Sequence, residues 1–328
     1  MSNDIVYKDN LQERTAHKKR TSPKKKKKWT LSSIQLFVVA CMGLLFLIIF
    51  NYIPMFGIVI AFKKGDYALN ILKVVTDAKW VGFENFMKFF NDRRFASVLL
   101  NTVGLNLLML CINFPSPIVF ALLINEVSHT KFKRVVQTIA NFPHFISWII
   151  YGGIMLSIMH MNTGIINPIL QALKIIEKPI NFGAPQYFWG TIIITSLLKG
   201  LGWGSIIYLA AISGIDPQLY ESAIIDGANR FQRMIYITLP SIASTITVFL
   251  LLSISGLLSN NFEHFYVFQN SINLDKSEVI ATFVYKMGIV QRRYSYVTAI
   301  GFFNSVVSVI LLTISNFISK KTTDRGLF

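Results

Sequence analysis

Along the chain, six apolar stretches alternate with polar segments, and each is long enough to cross about 30 Å of hydrocarbon, which takes roughly 20 helical residues. They run near Leu31 to Ile53, Ala96 to Leu123, Val135 to Met159, Phe188 to Ile212, Ser241 to Leu258, and Val297 to Ile318. Runs of this length exclude a closed barrel, and in lipid only helices satisfy their own backbone. The pattern therefore predicts an all-α polytopic membrane protein with six transmembrane helices and both ends on one side. Pro115, Pro117 and Pro143 fall inside the second and third stretches, so kinks are expected there.

Composition supports the same class. With 53% hydrophobic and 15% charged residues, a chain of 328 residues has too little polar surface for a soluble globule. The first apolar run follows thirty hydrophilic residues and is long enough to span, which predicts a retained anchor rather than a signal peptide. Cys41 and Cys111 lie in apolar runs and act as small hydrophobes; their spacing fits neither a zinc site nor a disulfide framework.

Charge sets the orientation. The segment before Leu31 carries ten basic residues (Lys8, Arg14, Lys18, Lys19, Arg20 and Lys24 to Lys28), and Lys131, Lys133, Arg134, Arg230, Arg233, Lys320, Lys321 and Arg325 fall on the same side. By the positive-inside tendency both termini are cytoplasmic, although the bias depends on the N-terminal tail. That tail contributes much of the net charge of +16. A basic stretch beside a first span contacts anionic membrane lipid, and without a folded module or interleaved aromatics it predicts no nucleic acid partner.

One polar segment, Tyr220 to Pro240, is wedged between two spans and reads as a helical hairpin at the surface. Asp216 is placed to cap a helix that has Pro217 at its first position, Gly227 breaks it, Asn229 can start another, and Pro240 opens the next span. Glu221, Ser222, Ala223, Gly227, Ile237, Leu239 and Pro240 stand at the offsets of the E-A-A, three residues, G, nine residues, I-x-L-P signature. The segment thus resembles the coupling loop of permease subunits of binding-protein-dependent ABC importers, with Ser222 replacing one Ala. The resemblance implies that Tyr220, Glu221, Ser222, Ala223, Asp226, Gly227, Ala228, Arg230, Leu239 and Pro240 couple the chain to an ATPase. Small residues permit close backbone approach there, while Glu221, Arg230 and Arg233 can fix orientation by charge.

Further stretches narrow the resemblance to the oligosaccharide branch of these permeases. They are Tyr52 to Tyr67, Trp80 to Phe90, the pair Asn101 and Thr102, Thr163 to Asn167, Gly202 to Asn229, and Thr282 to Phe303. Departures are modest: Lys63-Lys64-Gly65 where a Lys-Asp pair is more usual, and Arg292-Arg293 beside the Tyr-Ser. Membership implies a MetI-like type I importer permease fold with no catalytic residues, metal or cofactor of its own. It also implies a second homologous permease, two cytoplasmic ATPase subunits that bind ATP and Mg, and an extracellular solute-binding protein, all at a bacterial cytoplasmic membrane. The expected organisation is a tail at 1–30, a first span and outer amphipathic segment at 31–95, a transport core at 96–318 that includes the hairpin 216–238, and a cytoplasmic tail at 319–328.

Candidate path residues follow from polar groups among apolar ones. Lys199 sits mid-way in the fourth run, an expensive place for a charge. With Trp203 it can face a cavity shared with a partner permease, or it can pair with backbone carbonyls. Glu263, His264, Tyr266 and Asn270 in the segment Phe262 to Asn270 mix polar groups with aromatic rings, as sugar sites do, although a packed re-entrant segment reads the same way. Trp80, Phe83, Phe86, Phe89 and Phe90 form an aromatic belt suited to an outer interfacial helix. No G-x-x-x-x-G-K-[ST] loop and no H-E-x-x-H pair occurs in the sequence. A membrane sensor or scaffold gripping a partner by the same hairpin is an alternative reading. A secondary transporter is another, but it calls for intramembrane carboxylates that the six runs lack at their centres.

Overall fold

The computed structural model describes residues 30–66, 71–323 and 326. The basic run Lys24 to Lys28, Tyr67 and Arg325 lie outside the described residues. The chain divides into two units, residues 1–56 and 57–328.

The first unit holds α1 (Leu31–Leu47), which continues through a π turn at Ile48–Tyr52. Thr30 caps α1 by accepting from the Ser33 amide, and none of the α1 side chains is buried. Apolar on every face, α1 has the character of a helix designed for lipid.

The second unit is a helical bundle. Its elements are α2 (Ile71–Asp77), α3 (Glu84–Phe90), α4 (Phe95–Ile112), α5 (Pro115–Asn125), α6 (Thr130–Asn141), α7 (Trp148–Ile158) and α8 (Ile166–Ala172). They continue with α9 (Pro185–Ser213), α10 (Pro217–Ile225), α11 (Arg230–Arg233), α12 (Ala243–Ser255), α13 (Phe262–Phe268), α14 (Leu274–Ser277), α15 (Ile280–Tyr285) and α16 (Tyr294–Thr323). Among the described residues no strand forms beyond an isolated bridge between Lys63 and Trp80.

The six predicted spans are realised unequally. Leu31–Phe62, Phe95–Asn125, Pro185–Ser213 and Tyr294–Lys321 are each long and apolar enough to cross a membrane, whereas the third and fifth are bent pairs. Thr130–Phe145 meets Trp148–Ile158 at 107°, and Arg230–Ser241 meets Ala243–Ser255 at 63°. Pro143 lies in the single 3-10 turn that ends the first arm of the sharper elbow, where a missing donor favours a break. Pro115 acts differently: it is the first residue of α5, a position that needs no amide donor, so the second span continues past it.

Among the described residues, three of the four buried clusters join the long helices of the bundle. Phe89, Val98, Phe283, Met287, Tyr296 and Ile300 join α3, α4, α15 and α16. Leu105, Phe188, Ile192, Phe265 and Phe268 join α4, α9 and α13. Ile118, Leu122, Tyr208, Ile212 and Ile242 join α5 and α9 to the base of the 216–238 hairpin. The aromatic belt expected at an interface is thereby corrected: Phe86 and Phe89 are core, packed against Phe302 and Phe303, while Trp80 and Phe83 stay exposed. Because lipid is as apolar as these side chains, close packing and hydrogen bonds carry the association. Asn101 and Thr102 illustrate it: the Asn101 amide donates to the Asp275 carbonyl at 2.8 Å, and Thr102 Oγ1 accepts from the Ile280 amide at 2.9 Å.

At the end of the bundle opposite the hairpin, charged groups clasp α3, α4, α15 and α16. Glu278 is buried, 3.0 Å from Lys286 and 3.9 Å from Arg94. The Tyr296 hydroxyl donates to Asp92 at 3.1 Å. Burial works against the Asp92 charge, but the Arg94 amide, the Arg94 guanidinium and the Tyr296 hydroxyl outweigh it and hold the carboxyl below its ordinary range.

Candidate functional site

The long helix α9 runs the length of the bundle and ends two residues before the hairpin. Asp216 accepts from the Gln218 amide at 3.0 Å and Pro217 takes the first turn, so α10 starts where the sequence signals place it. It ends at a left-handed Gly227 with φ of +79°, and the Ala228 amide closes back on the Ala223 carbonyl at 2.8 Å. Asn229 and Gln232 then form a reciprocal capping box at 2.8 and 2.9 Å that starts α11. The Tyr220 hydroxyl bonds the buried Thr238 hydroxyl at 2.8 Å, which ties the two arms together.

This construction brings Tyr220, Glu221, Ser222, Ala223, Asp226, Gly227, Ala228 and Arg230 onto one compact hairpin, with Leu239 and Pro240 at its base. Glu221, Ser222, Asp226, Gly227 and Arg230 are exposed, Ala223 and Ala228 half-buried. The motif residues are not the most exposed apolar ones. Ile225 at the tip is 86% exposed and Tyr236 75%, and Ile224 and Phe231 are exposed as well. Their only sequence signal is that they are apolar residues in an otherwise polar segment.

The five candidate path residues do not converge. Trp203 is half exposed, stacks on His144 with centroids 4.3 Å apart, and lines a cavity of about 460 Å³ with Asn113, Tyr208, Phe249 and Ser253. Lys199 takes the second of the two arrangements open to it: its side chain is buried and the ammonium donates to the carbonyls of Pro143, His144 and Ile146, the first at 2.8 Å. Glu263 and Tyr266 are on the exposed face of α13, where Tyr266 packs on Phe262 and Tyr285. Asn270 holds a loop, donating to Gly183 O at 3.1 Å and accepting from the Ile272 and Asn273 amides at 2.9 Å.

Two further residues hold this region: His264, which the sequence marks as a polar group of the segment, and Asn106, which it does not. His264 is buried, 3.0 Å from the Thr195 hydroxyl and stacked on Trp148. Asn106 donates to Leu257 O at 2.8 Å and accepts from the Asn260 amide at 3.0 Å. It thereby meets the freed polar groups where the chain leaves α12 at Gly256 and re-enters helix at Phe262. Thr195 is the eleventh residue of α9, about 15 Å from its start at 1.5 Å per residue. The break and α13 are thus beside the first half of this spanning helix, and within a span irregular backbone is tolerated only inside protein or beside a watery cavity. Among the described residues, no group of three or more His, Cys, Asp or Glu is placed to hold a metal ion.

Residues 96–324 match the model of the binding-protein-dependent transport system inner membrane component family. The chain belongs to this family. It is an ABC importer permease subunit with a MetI-like fold, a multi-pass membrane protein and not itself an enzyme. Protein LplB of Bacillus subtilis (strain 168) is 42% identical over 93% of this chain and 92% of its own length. The polygalacturonan/rhamnogalacturonan transport system permease protein YteP of the same organism is 39% identical over 93% of this chain and 94% of its own. Among solved structures, a chain of a bacterial alginate ABC transporter in complex with its alginate pentasaccharide-bound periplasmic protein superposes with a TM-score of 0.80. It is 33% identical, over 90% of this chain and 97% of that one.

Proposed function

We propose that this permease subunit carries an oligosaccharide into the cell, powered by ATPase subunits that grip the hairpin 216–238 from the cytoplasm. One observation carries the reading: the hairpin holds Ile225 almost fully exposed, with Ile224, Phe231 and Tyr236 also exposed along its two arms. Exposed apolar side chains along an otherwise polar hairpin call for a protein that covers them, and small-residue turns of this kind suit insertion into a cleft. Both termini are then cytoplasmic, and the opposite end of the bundle faces an extracellular solute-binding protein. A second, homologous permease completes the pore, with residues 96–318 as this subunit's transport core. The basic N-terminal tail contacts anionic lipid. This chain supplies no cofactor; ATP and Mg are held by the two partner ATPases.

Glu263 and Tyr266 beside the break, with Trp203 in its cavity, are the best-placed sugar contacts, because aromatic faces and hydrogen-bonding groups together suit carbohydrate. Lys199 and Asn270 shape that path from behind. An acidic oligosaccharide is the favoured cargo, in line with the names of YteP and of the alginate transporter and with exposed Lys276 and Arg292 at the far end. The test is uptake by proteoliposomes holding the importer complex purified through a tag on this chain. ATP-dependent accumulation of an oligogalacturonate, and not of a neutral oligosaccharide of equal length, is expected; no ATP-dependent accumulation of any oligosaccharide refutes the reading.

A further inference from the structure

We infer that Lys199 is a positioning residue that joins the coupling hairpin to the sugar path, acting as a tethered cation at the elbow between α6 and α7. This rests on the importer reading above. The elbow turns the chain through 107° and frees backbone carbonyls. Three of them, on Pro143, His144 and Ile146, receive the Lys199 ammonium. In lipid, freed carbonyls of this kind need a bound cation, a donor side chain or water, and here a lysine of the neighbouring helix supplies the charge. The ammonium also lies 5.0 Å from the Trp148 ring centroid and 5.3 Å from that of Tyr151, so the first turn of α7 is held by cation–π contact.

The same few residues reach α13. Trp148 stacks on His264 with centroids 4.0 Å apart, His264 bonds Thr195 at 3.0 Å, and Tyr151 donates to the Thr195 carbonyl at 3.0 Å. Thr195 and Lys199 are one helical turn apart on α9, so a single helix grips both the elbow and the path-lining α13. Three residues further, an added Cβ on Gly202 would lie 2.4 Å from the Ala140 backbone, which shows how closely α6 and α9 are seated. Because α9 ends at Ser213 and α10 begins at Pro217, a displacement of the hairpin is delivered to α9 with almost no slack. Lys199 and the Thr195–His264 bond convert it into movement of the elbow and of α13 together.

The test uses the complete importer in proteoliposomes, with sugar uptake and ATP hydrolysis measured on the same vesicles. Lys199→Met keeps the apolar stem and removes the donors; uptake is expected to fall about tenfold or more while hydrolysis stays within about twofold, so that more ATP is spent per sugar. Lys199→Arg, which restores the donors, recovers most of the uptake. Thr195→Val, a near-isosteric loss of one hydroxyl, uncouples in the same direction and decides the matter where Lys199→Met does not assemble. Uptake unchanged in Thr195→Val and in any assembled Lys199→Met overturns the inference. So does a parallel loss of uptake and hydrolysis, which marks a purely structural lysine. A wild-type complex that shows no ATP-driven uptake instead counts against the importer reading itself.

Discussion

Gly227 offers the sharpest test of the coupling hairpin, because the cost of replacing it splits into two separable parts. Its φ of +79° lies in the left-handed region, where an L side chain other than Asn or Asp costs about 1–2 kcal/mol. A Cβ built there meets nothing within 4 Å beyond its own chain neighbours, so packing adds nothing to that backbone strain. Gly227→Val is therefore expected to lower the population of the native hairpin by about 5–30-fold relative to alternatives, with no effect on the bundle core. Gly227→Asn keeps the backbone conformation accessible and adds only bulk on the outer face. If an ATPase cleft closes over this turn, both variants insert with the bundle core intact, yet both lose ATPase co-purification and ATP-driven uptake, with Asn reporting the steric share alone. Melting of the purified permease, quantitative co-purification and uptake in proteoliposomes separate these effects. Wild-type uptake in Gly227→Val, with the complex intact, refutes the assignment of this turn as the point of force entry.

Other outcomes follow from the same geometry. Ile225→Asp changes a side chain that is 86% exposed, so thermal stability should hold within about 0.5 kcal/mol. Binding to the ATPase, followed by titration, should nonetheless weaken by about 2 kcal/mol or more, as for a central interface anchor. Tyr266→Ala exposes the faces of Phe262 and Tyr285 and should raise the KM for sugar uptake while leaving ATPase co-purification unchanged; an unaltered KM and rate remove Tyr266 from the path. At the far end, the clasp around Asp92 has a defined pH signature. A carboxyl whose folded pKa is lowered contributes fully above its unfolded value, about 3.9, and loses that contribution as pH falls through the lowered folded value. Asp92→Asn should therefore lower the melting temperature at neutral pH and flatten its decline in acid; an equal acid slope in variant and wild type contradicts the clasp.

What the sequence by itself determined is the class of solvent, the helical spans and the hairpin with its caps. Each of these is set by short-range chemistry: run length against bilayer thickness, Asp216 and Asn229 against free amides, Gly227 against a left-handed turn. Orientation was readable as a charge imbalance, resting on a tail outside the described residues, and from the resemblance of the hairpin to a cytoplasmic coupling loop. The tertiary structure decided what the polar residues inside the spans do. Lys199 and Trp203, four residues apart on one helix, take opposite roles, because α6 breaks beside one and a cavity opens beside the other. His264 stood out only as a polar group of its segment and Asn106 not at all, since their partners, Thr195 and the carbonyls freed after α12, lie 69 and about 150 positions away. The elbow angle of 107° was likewise out of reach: Pro143 marks a possible break, but its size depends on what supplies donors to the carbonyls it frees. In lipid that supply must come from another helix, and only the packed bundle says which one.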